Sequence, residues 1–424
     1  MNPGMLNFDG TDYLDGRCSD PNVLGLMQGT PPVVSARIRF DDDRFLAFPQ
    51  NRWSLSHLRE LLPTVEVWRG DARPSDLGGV NSSTSAAIDA LEFEDMHGRP
   101  RVWAESLFDT YTDGIIVLHR GQRVFERYLG ALQPQRAHAC FSVTKSYVGT
   151  LAAMLVHEGA LDPSQRIPFY LPEMAQTAYA DATLREVLDM QVGVAYSELY
   201  SDPRAHIWDY CRAGGVLPRP SDYSGPDNFY DFLTTLQKEG DHGQAFAYKT
   251  VNTELLCWIM KRVTQCSLAD MLSERIWSRI GCEQDAYLSV DPIGVPFGGG
   301  GLNASLRDLA RFGELMRCEG AWQARQVIAP EVVADIRRGA DPAKFAKAGY
   351  TLLPGYSYRN MWWVAHNELD TLEARGIHGQ RLYVAPKAEL VIARFASHPI
   401  AASAANDPIT LPAFAALARL LTAV

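Results

Sequence analysis

A serine and a lysine separated by two residues open an apolar segment, at Ser142 and Lys145 in "FSVTKSYVGTLAAMLVHEG". In a helix that begins here, positions i and i+3 share one face, so the lysine amine can reach the serine oxygen. A serine in the first turn also lies in the positive field of the helix N-terminus, which favours an alkoxide or an oxyanion. A desolvated lysine loses its proton near neutral pH and can act as a base. The pair therefore predicts a nucleophile with its base.

A polar helix end is the alternative interpretation, because a Ser-x-x-Lys is expected roughly once by chance in a chain of this length. The sequence contains this one only. It opens an apolar segment directly after a predicted hairpin, and it follows Cys140 and Phe141 rather than charged residues. Because a lysine is a costly choice for a purely structural position there, the placement favours a catalytic pair.

Two further stretches hold groups that could complete such a site. Tyr248 stands just before a predicted helix in "QAFAYKTVNTELL". A tyrosine beside a lysine ammonium can have its pKa lowered toward the phenolate and relay a proton, although a buried aromatic is the alternative. The glycines of "ARGIHGQRLYV" (374–384) can let a strand approach a substrate closely. One N–H there could form an oxyanion hole with that of Ser142.

The segments around these residues predict the elements that would position them. "TDGIIVLHRGQRVFERYLG" (112–130) predicts two strands joined by a turn, and the helix from Ser142 should end at Gly159. From about 165 to 320 the pattern is mostly helical, with a helix starting near Asn252. Strand patterns then return, and "LPAFAALARLLTAV" closes the chain as a helix.

This order predicts one α/β domain interrupted by a helical insertion. We assign residues 101–165 and 320–424 to the α/β domain and 166–319 to a mainly helical domain. Residues 1–100 are rich in Gly, Pro, Asp and Ser, and they predict an extended leader packed on the body. A cleft between the two domains is the expected place for a site.

Composition narrows the classes of function. The net charge of −10 argues against nucleic acid or an anionic membrane surface as the main partner. We find no apolar run of about 18 residues, and the N-terminus lacks the features of a secretory signal. The seven cysteines are scattered, without a Cys-x-x-Cys or a neighbouring histidine cluster. These patterns predict a cytoplasmic protein without disulfide, metal or cofactor.

The residues in this order resemble those of the serine β-lactamases and penicillin-binding proteins. The class C branch, with its esterase and linear-amide hydrolase relatives, is the most similar. The likeness runs from about residue 50 to the C-terminus and is far more specific than any one motif. The phrases that carry it are "NRWSLSHL", "TYTDGIIVLHRG", "FSVTKSYVGTL", "VLDMQVGVAYSELYSDP", "YDFLTTL", "FAYKTVNTELLCWIMKRVT", "NASLRDLARFGELM" and "GIHGQRLYV".

The resemblance implies an α+β, β-lactamase-like fold, with an antiparallel sheet flanked by helices and an inserted mainly helical domain. It also implies a covalent acyl-enzyme. Ser142 would be the nucleophile, and Lys145 and Tyr248 would share the general acid and base work. The backbone N–H groups of Ser142 and Ile377 would bind the oxyanion, with Gly376 in the place of the last glycine of the family's Lys-Thr-Gly triplet.

Several substrate-binding positions depart from the family pattern. No Lys-Thr-Gly occurs, and Ala374-Arg375-Gly376 stands in its place, with Arg375 as a substitute cation or as a solvated side chain. The Tyr-x-Asn of class C enzymes is replaced by Tyr248-Lys249-Thr250, with Asn252 two places later. The resemblance places Thr250 within reach of the catalytic lysine or the substrate. Tyr200 falls where a relative carries a mobile tyrosine over its substrate, and a surface aromatic is the alternative.

Other residues near the implied site have less defined roles. His378 could pair with the serine as a base, but packing behind the strand or bordering the site is favoured. By resemblance, an acid for a substrate's free amine would stand near Cys211, with Asp209 the nearest carboxylate. The four glycines of "FGGGGLNAS" (297–305) indicate room or flexibility beside the cleft.

We therefore predict a serine hydrolase of small-molecule carboxylic esters or linear amides. A homodimer is one assembly that the protein could form. A non-catalytic binding protein of the same fold is one alternative. A β-lactamase or D-amino-acid peptidase is another, disfavoured by the missing Lys-Thr-Gly. Neither Gly-x-Ser-x-Gly nor His-Glu-x-x-His occurs, so a nucleophile elbow or a zinc hydrolase has no support.

Overall fold

The apolar strand patterns of the sequence join into an antiparallel sheet in the computed structural model, which describes residues 4–8, 10–42 and 44–422. The described strands are β1 Met5–Phe8, β2 Thr11–Leu14, β3 Thr64–Val67, β4 Glu92–Glu94, β5 Pro100–Val102, β6 Thr112–His119, β7 Gln122–Tyr128, β8 His138–Ala139, β9 Ala286–Ser289, β10 Leu302–Ala304, β11 Ala321–Trp322, β12 Arg325–Gln326, β13 Ser357–Arg359, β14 Trp362–Val364, β15 Leu372–Gly376, β16 Gln380–Ala385 and β17 Leu390–Ala396.

The helices lie mostly between β8 and β13. The described α-helices are α1 Asn51–Ser54, α2 Ser82–Asp89, α3 Trp103–Asp109, α4 Val143–His157, α5 Ile167–Tyr170, α6 Leu184–Leu188, α7 His206–Ala213, α8 Phe229–Thr234, α9 Val251–Thr264, α10 Leu268–Arg275, α11 Leu306–Arg317, α12 Pro330–Arg338, α13 Pro342–Ala346 and α14 Asp407–Thr422. None of these helices is both long and apolar enough to cross a membrane.

The main sheet has the order β13-β14-β15-β16-β17-β6-β7, and its neighbouring strands pair antiparallel. Its two faces belong to different cores because side chains alternate along a strand. In β6, Ile116 and Leu118 face the core that contains α4 and α11. Ile115 and Val117 face α3 and α14. The predicted fold, an antiparallel sheet flanked by helices, is confirmed.

A smaller sheet of order β3-β9-β10-β8 ends immediately before the serine of interest. It joins a strand from the N-terminal hundred residues to strands on either side of the helical region. Apolar residues of that leader, among them Phe45, Trp53 and Leu55, form a cluster that also contains Ala139 and Leu217 from the rest of the chain. The division of the chain into three parts stays a prediction.

Local signals in the sequence correspond closely to the observed elements. The predicted hairpin is β6–β7, and α4 begins after Ser142 and ends at His157, two residues before Gly159. Thr183 and Glu186 form the reciprocal capping box at the start of α6. In each case the signal is confined to adjacent residues, which is why sequence alone could find it.

A buried network of two arginines and two carboxylates lies behind the sheet, and it makes a stability prediction. Arg381 is fully buried and contacts both Glu373 and Asp407. Arg381→Ala should lower the free energy of unfolding by roughly 3–5 kcal/mol, because it leaves buried carboxylates without their partner. Urea unfolding would measure the change. Arg120→Ala is the control, since Arg120 pairs with Glu389 at the surface, where a pair is worth about 0–1 kcal/mol. Equal effects of both substitutions would contradict the prediction.

Candidate active site

Ser142 occupies the residue that precedes the first turn of α4, and the chain reaches it through a strained residue. Phe141 has φ of +44°, in the left-handed region that an aromatic residue rarely adopts. The conformation is held because Cys140 N–H donates to the Leu302 carbonyl and the Thr144 hydroxyl donates to the Phe141 carbonyl. Such an outlier, fixed by its surroundings, presents Ser142 in one orientation at the helix N-terminus.

Lys145 is buried one turn inside α4, and its amine contacts the serine. The distance from Nζ to Ser142 Oγ is 2.9 Å, and Nζ donates to the Gly299 carbonyl at 2.5 Å. The side chain is about as buried as the core around it. Burial lowers the pKa of Lys145 to about 8, although the carboxylates of Glu198 and Glu254 oppose that shift. A fraction of the amine is therefore unprotonated near neutral pH and can accept the serine proton.

Tyr248 is the third side chain that lies beside Ser142 and Lys145. Its side chain lies near Ser142, and its ring centroid is 5.1 Å from Lys145 Nζ and stacked on Trp363. Burial raises the pKa of Tyr248 well above its ordinary value, with Glu198 adding to the increase. The expectation of a tyrosine shifted toward the phenolate is therefore wrong. The hydroxyl stays neutral and is suited to passing a proton rather than to taking one permanently.

Thr250 and Tyr200 are brought together by a residue that sequence reasoning missed. Glu198 accepts hydrogen bonds from the Tyr200 hydroxyl at 2.8 Å and from the Thr250 hydroxyl at 2.6 Å. It also accepts the Thr250 backbone N–H at 2.7 Å. Tyr200 packs edge-on against Trp208, so it is not simply a surface aromatic. A glutamate in a polar loop carries no sequence signal for such a role, because solvated glutamates look the same.

Asn252 is not directed at the serine. Two residues along a helix turn the side chain by about 200°, and α9 therefore points Asn252 away from the face that Thr250 occupies. Its amide oxygen accepts the Tyr179 hydroxyl at 2.9 Å, and both residues are fully buried. The structure thus places Asn252 in the helical core, behind the cleft.

Arg375 is neither solvated nor available as a substitute cation. It contacts Glu373 at 3.3 Å and also pairs with Asp407, and its guanidinium lies 5.3 Å from the Trp363 ring centroid. It is only 6% exposed. Two carboxylates thus neutralise the positive charge of the one cation in the segment that replaces the family's Lys-Thr-Gly triplet.

Gly376 lets the end of β15 approach the segment that carries the serine. A Cβ at this position would lie 2.7 Å from the Cys140 carbonyl oxygen, which no real Cβ tolerates. Only glycine therefore allows this approach, which brings Ile377 beside the start of α4. The His378 ring is held by the His398 carbonyl at 2.7 Å and faces Phe141, and burial lowers its pKa. His378 borders the site as a neutral ring.

The two positions considered for a substrate ammonium face different surroundings. Cys211 lies near Lys145, and burial together with the Glu198 charge raises the pKa of its thiol to about 12. Asp209 lies two residues away on α7 and is exposed, next to Arg212 and beside a separate cavity of about 690 Å³. That cavity is lined by none of the proposed catalytic side chains. In the described residues, no cluster of three or more His, Cys, Asp and Glu could hold a metal ion.

The glycine segment beside the cleft is packed, not roomy. A Cβ at Gly298 would lie 2.2 Å from Cys257 Sγ, and one at Gly299 would lie 2.3 Å from the Thr250 methyl carbon. The N–H groups of both glycines donate to the buried carboxylate of Glu254. The expectation of room or flexibility at these two glycines is wrong. Glu254 itself escaped the sequence analysis because it follows Thr253 in a polar first turn, where an acid is ordinary.

The low pKa of Lys145 leads to a prediction for the pH profile. Because the free amine is the active form, kcat/KM should rise with pH up to about 8 and fall below it as the amine is protonated. Initial rates with a neutral ester between pH 5.5 and 9.5 would measure this limb. A limb near pH 4, typical of an unshifted carboxylate, would contradict the assignment of Lys145 as the base.

Comparison with known proteins agrees with this geometry. A family model described as "Beta-lactamase" matches residues 104–411. The chain belongs to the β-lactamase family. It is 34% identical over 361 residues to 6-aminohexanoate-dimer hydrolase of Paenarthrobacter ureafaciens, covering 84% of this chain and 88% of that protein. The predicted family and its hydrolase character are confirmed.

Two solved structures have an architecture similar to that of this chain. A proposed 6-aminohexanoate-dimer hydrolase from Bacillus anthracis superposes with a TM-score of 0.83 at 30% identity, covering 91% of this chain and 98% of that one. A family VIII carboxylesterase superposes with a TM-score of 0.58 at 16% identity. The match covers 81% of this chain and 100% of the esterase chain. The second likeness concerns the fold alone.

Proposed function

We propose that this serine hydrolase cleaves small-molecule carboxylic esters or linear amides through an acyl-enzyme on Ser142. The observation that carries the proposal is the buried Lys145 amine, 2.9 Å from Ser142 Oγ and with a pKa lowered to about 8. An amine in that state is a base poised for operation near neutral pH. A structural lysine would gain nothing from this burial.

In the proposed reaction, the free amine of Lys145 takes the Ser142 proton as Oγ bonds to the substrate carbonyl carbon. The carbonyl π electrons move to the oxygen, and the N–H groups of Ser142 and Ile377 stabilise the resulting oxyanion. As the tetrahedral intermediate collapses, the bond to the alkoxy or amino leaving group breaks. Tyr248 donates its hydroxyl proton to that group and is reprotonated from the Lys145 ammonium.

Deacylation repeats these steps with water as the nucleophile. Lys145, with Tyr248 as relay, takes a water proton while the hydroxide oxygen bonds to the acyl carbon. The ester bond to Ser142 then breaks, and the serine oxygen regains its proton from the same pair. The carboxylic acid leaves and the free enzyme is restored, so no cofactor is consumed.

The substrate class follows from what surrounds the catalytic groups. A β-lactam or a D-amino-acid peptide presents a carboxylate, and Arg375 is already neutralised by Glu373 and Asp407. This disfavours a β-lactamase or peptidase role. We propose neutral esters as the main substrate class. The amide to test is 6-aminohexanoate dimer, because two similar proteins carry it in their names. Tyr200, Thr250, Gly376 and His378 are proposed to border the bound substrate.

A substrate panel tests the proposal. p-Nitrophenyl esters from acetate to octanoate are assayed with 6-aminohexanoate dimer and nitrocefin. Turnover of esters, with or without the dimer, and much slower turnover of nitrocefin would support it. Faster turnover of nitrocefin than of any ester would favour the β-lactamase alternative. Inertness to the whole panel, together with no labelling by an activated phosphonate, would favour a non-catalytic binding protein.

We also propose a cytoplasmic location. All seven cysteines lie in described residues and are unpaired, and three of them are buried. Free thiols in this number are typical of a reducing compartment. Fractionation of the native host, with the protein detected by antibody, would test this placement.

A further inference from the structure

The carboxylate of Glu254 is buried beneath the active site, and it takes no part in the reaction proposed above. It lies in the first turn of α9 and is 2% exposed. Three donors surround it: Gly298 N–H at 2.6 Å, Gly299 N–H at 3.1 Å and the Tyr210 hydroxyl at 2.6 Å. Burying a carboxylate costs free energy unless its oxygens are hydrogen-bonded. The three donors around Glu254 meet this requirement, which indicates that the buried carboxylate has a specific role.

The turn that Glu254 holds makes direct contact with the catalytic lysine. Gly299 donates its N–H to Glu254, and its carbonyl accepts Lys145 Nζ at 2.5 Å. A neutral amine has two N–H donors and one lone pair. If one N–H is committed to the Gly299 carbonyl, rotation of the amine is restricted, and the lone pair can be directed at Ser142 Oγ, 2.9 Å away.

We propose that Glu254 is a positioning residue for Lys145: its carboxylate fixes the Gly298–Gly299 turn, which presents the Gly299 carbonyl to the lysine amine. This inference rests on the proposed function, in which Lys145 is the base. Without the carboxylate, two buried N–H groups lose their acceptor and the turn can relax away from the lysine. The effect on catalysis is therefore indirect, through the orientation of one amine.

The charge of Glu254 adds a second link between the two groups. The Glu254 charge raises the pKa of Lys145, and the Lys145 charge lowers that of Glu254, which burial raises to about 7. Each charge therefore affects the protonation of the other group, and the two titrations are coupled. The titratable groups that face this pair are Glu198 from the loop before α7, Tyr196, Tyr210 and Cys211 from that loop and from α7, Tyr248 before α9, and Cys257 from α9.

Glu254→Gln is the decisive variant because an amide can accept from only one of the two glycine N–H groups. It also removes a negative charge near Lys145. We expect kcat/KM for a p-nitrophenyl ester to fall about tenfold or more, with KM little changed. The acid limb of the pH profile should move to lower pH by about half a unit or more. The variant lacks the negative charge of Glu254, which stabilises the Lys145 ammonium, and its relaxed turn withdraws the Gly299 carbonyl that accepts from that ammonium.

Asp291→Asn is the matched control. Asp291 is a buried carboxylate that also accepts backbone N–H groups, from Phe229 at 3.0 Å and Val295 at 2.7 Å, but it makes no contact with the lysine turn. Its loss should lower thermal stability without moving the acid limb. If Glu254→Gln loses only stability, like this control, with an unmoved limb and kcat/KM within twofold of the wild type, the proposal is overturned.

Glu254→Asp covers the case in which the glutamine variant does not fold. It keeps the charge but is one carbon too short to hold both glycines at the present backbone positions. A tenfold loss of kcat/KM at unchanged KM, with a limb close to that of the wild type, would support the proposal. Activity within twofold would overturn it. Ser142→Ala is assayed in parallel, because ester turnover that survives in this variant would refute the proposed function itself.

Discussion

Ser142→Ala is expected to lower kcat/KM for every ester or amide that the protein turns over, by roughly 10⁴-fold or more. The substitution removes the hydroxyl oxygen that lies 2.9 Å from Lys145 Nζ at the N-terminus of α4. Removing a nucleophile abolishes the covalent route, and only the slow reaction assisted by the oxyanion donors remains. Rates measured with purified protein, at concentrations that reveal residual turnover, would give the size of the loss.

Covalent labelling makes the same test independent of the substrate. An activated phosphonate should modify the wild-type protein at Ser142, as read by mass spectrometry of peptides, and should leave the alanine variant unmodified. Ser146→Ala is the control, because Ser146 is a buried serine of the same helix whose hydroxyl donates to the Met361 carbonyl at 2.8 Å. It should lose some stability and keep its label. Labelling at another serine would refute the assignment of the nucleophile.

Lys145→Met is expected to reduce kcat/KM by roughly 10³-fold or more while leaving the fold intact. The serine hydroxyl then has no base, and Tyr248 cannot replace it because burial raises its pKa well above the working range and keeps the hydroxyl protonated. Methionine retains most of the volume and flexibility of the lysine stem. Single-turnover kinetics with a p-nitrophenyl ester would show whether the lost step is acylation.

The same substitution should change stability in the opposite direction to activity. The pKa of Lys145 is about 8 when folded against an ordinary value of 10.5, so its charged form disfavours folding. That cost is fully present below pH 8, and it disappears as the pH rises from 8 toward 10.5. Lys145→Met should therefore raise the free energy of unfolding at pH 7 by up to about 3 kcal/mol, with a smaller difference at pH 10. A variant that is inactive and also less stable at pH 7 would contradict this account.

Much of the fold could be predicted because its signals are local or belong to the family. The hairpin, the start of α4 and the capping box of α6 are each encoded by a few adjacent residues. The strand orders are not, because they depend on pairings such as β3 with β9, between segments more than two hundred residues apart. The apolar cluster that joins the leader to Ala139 and Leu217 depends on long-range packing in the same way, since the leader's apolar residues are spread among loop-forming ones.

The sequence could identify some residues of the candidate site and not others. Ser142, Lys145 and Tyr248 carry chemistry in their side-chain types and could be found from spacing and resemblance. Glu198 and Glu254 could not, because a glutamate in a loop or in a first helical turn is ordinarily solvated. Only tertiary packing turns these two carboxylates inward, onto the tyrosines, the threonine and the glycines that surround the Lys145 amine.

The smaller sheet also sets one limit on how early the site around Ser142 can form during synthesis. Its strand β8 lies immediately before Ser142, and it pairs with β10, which is made more than 160 residues later. At ribosomal rates of about 5–20 residues per second, roughly ten seconds or more separate the two strands. During that interval the start of α4 and its buried lysine lack the neighbours that orient them. A nascent chain would therefore hold an exposed apolar helix, and it is at this stage that chaperone assistance would matter most.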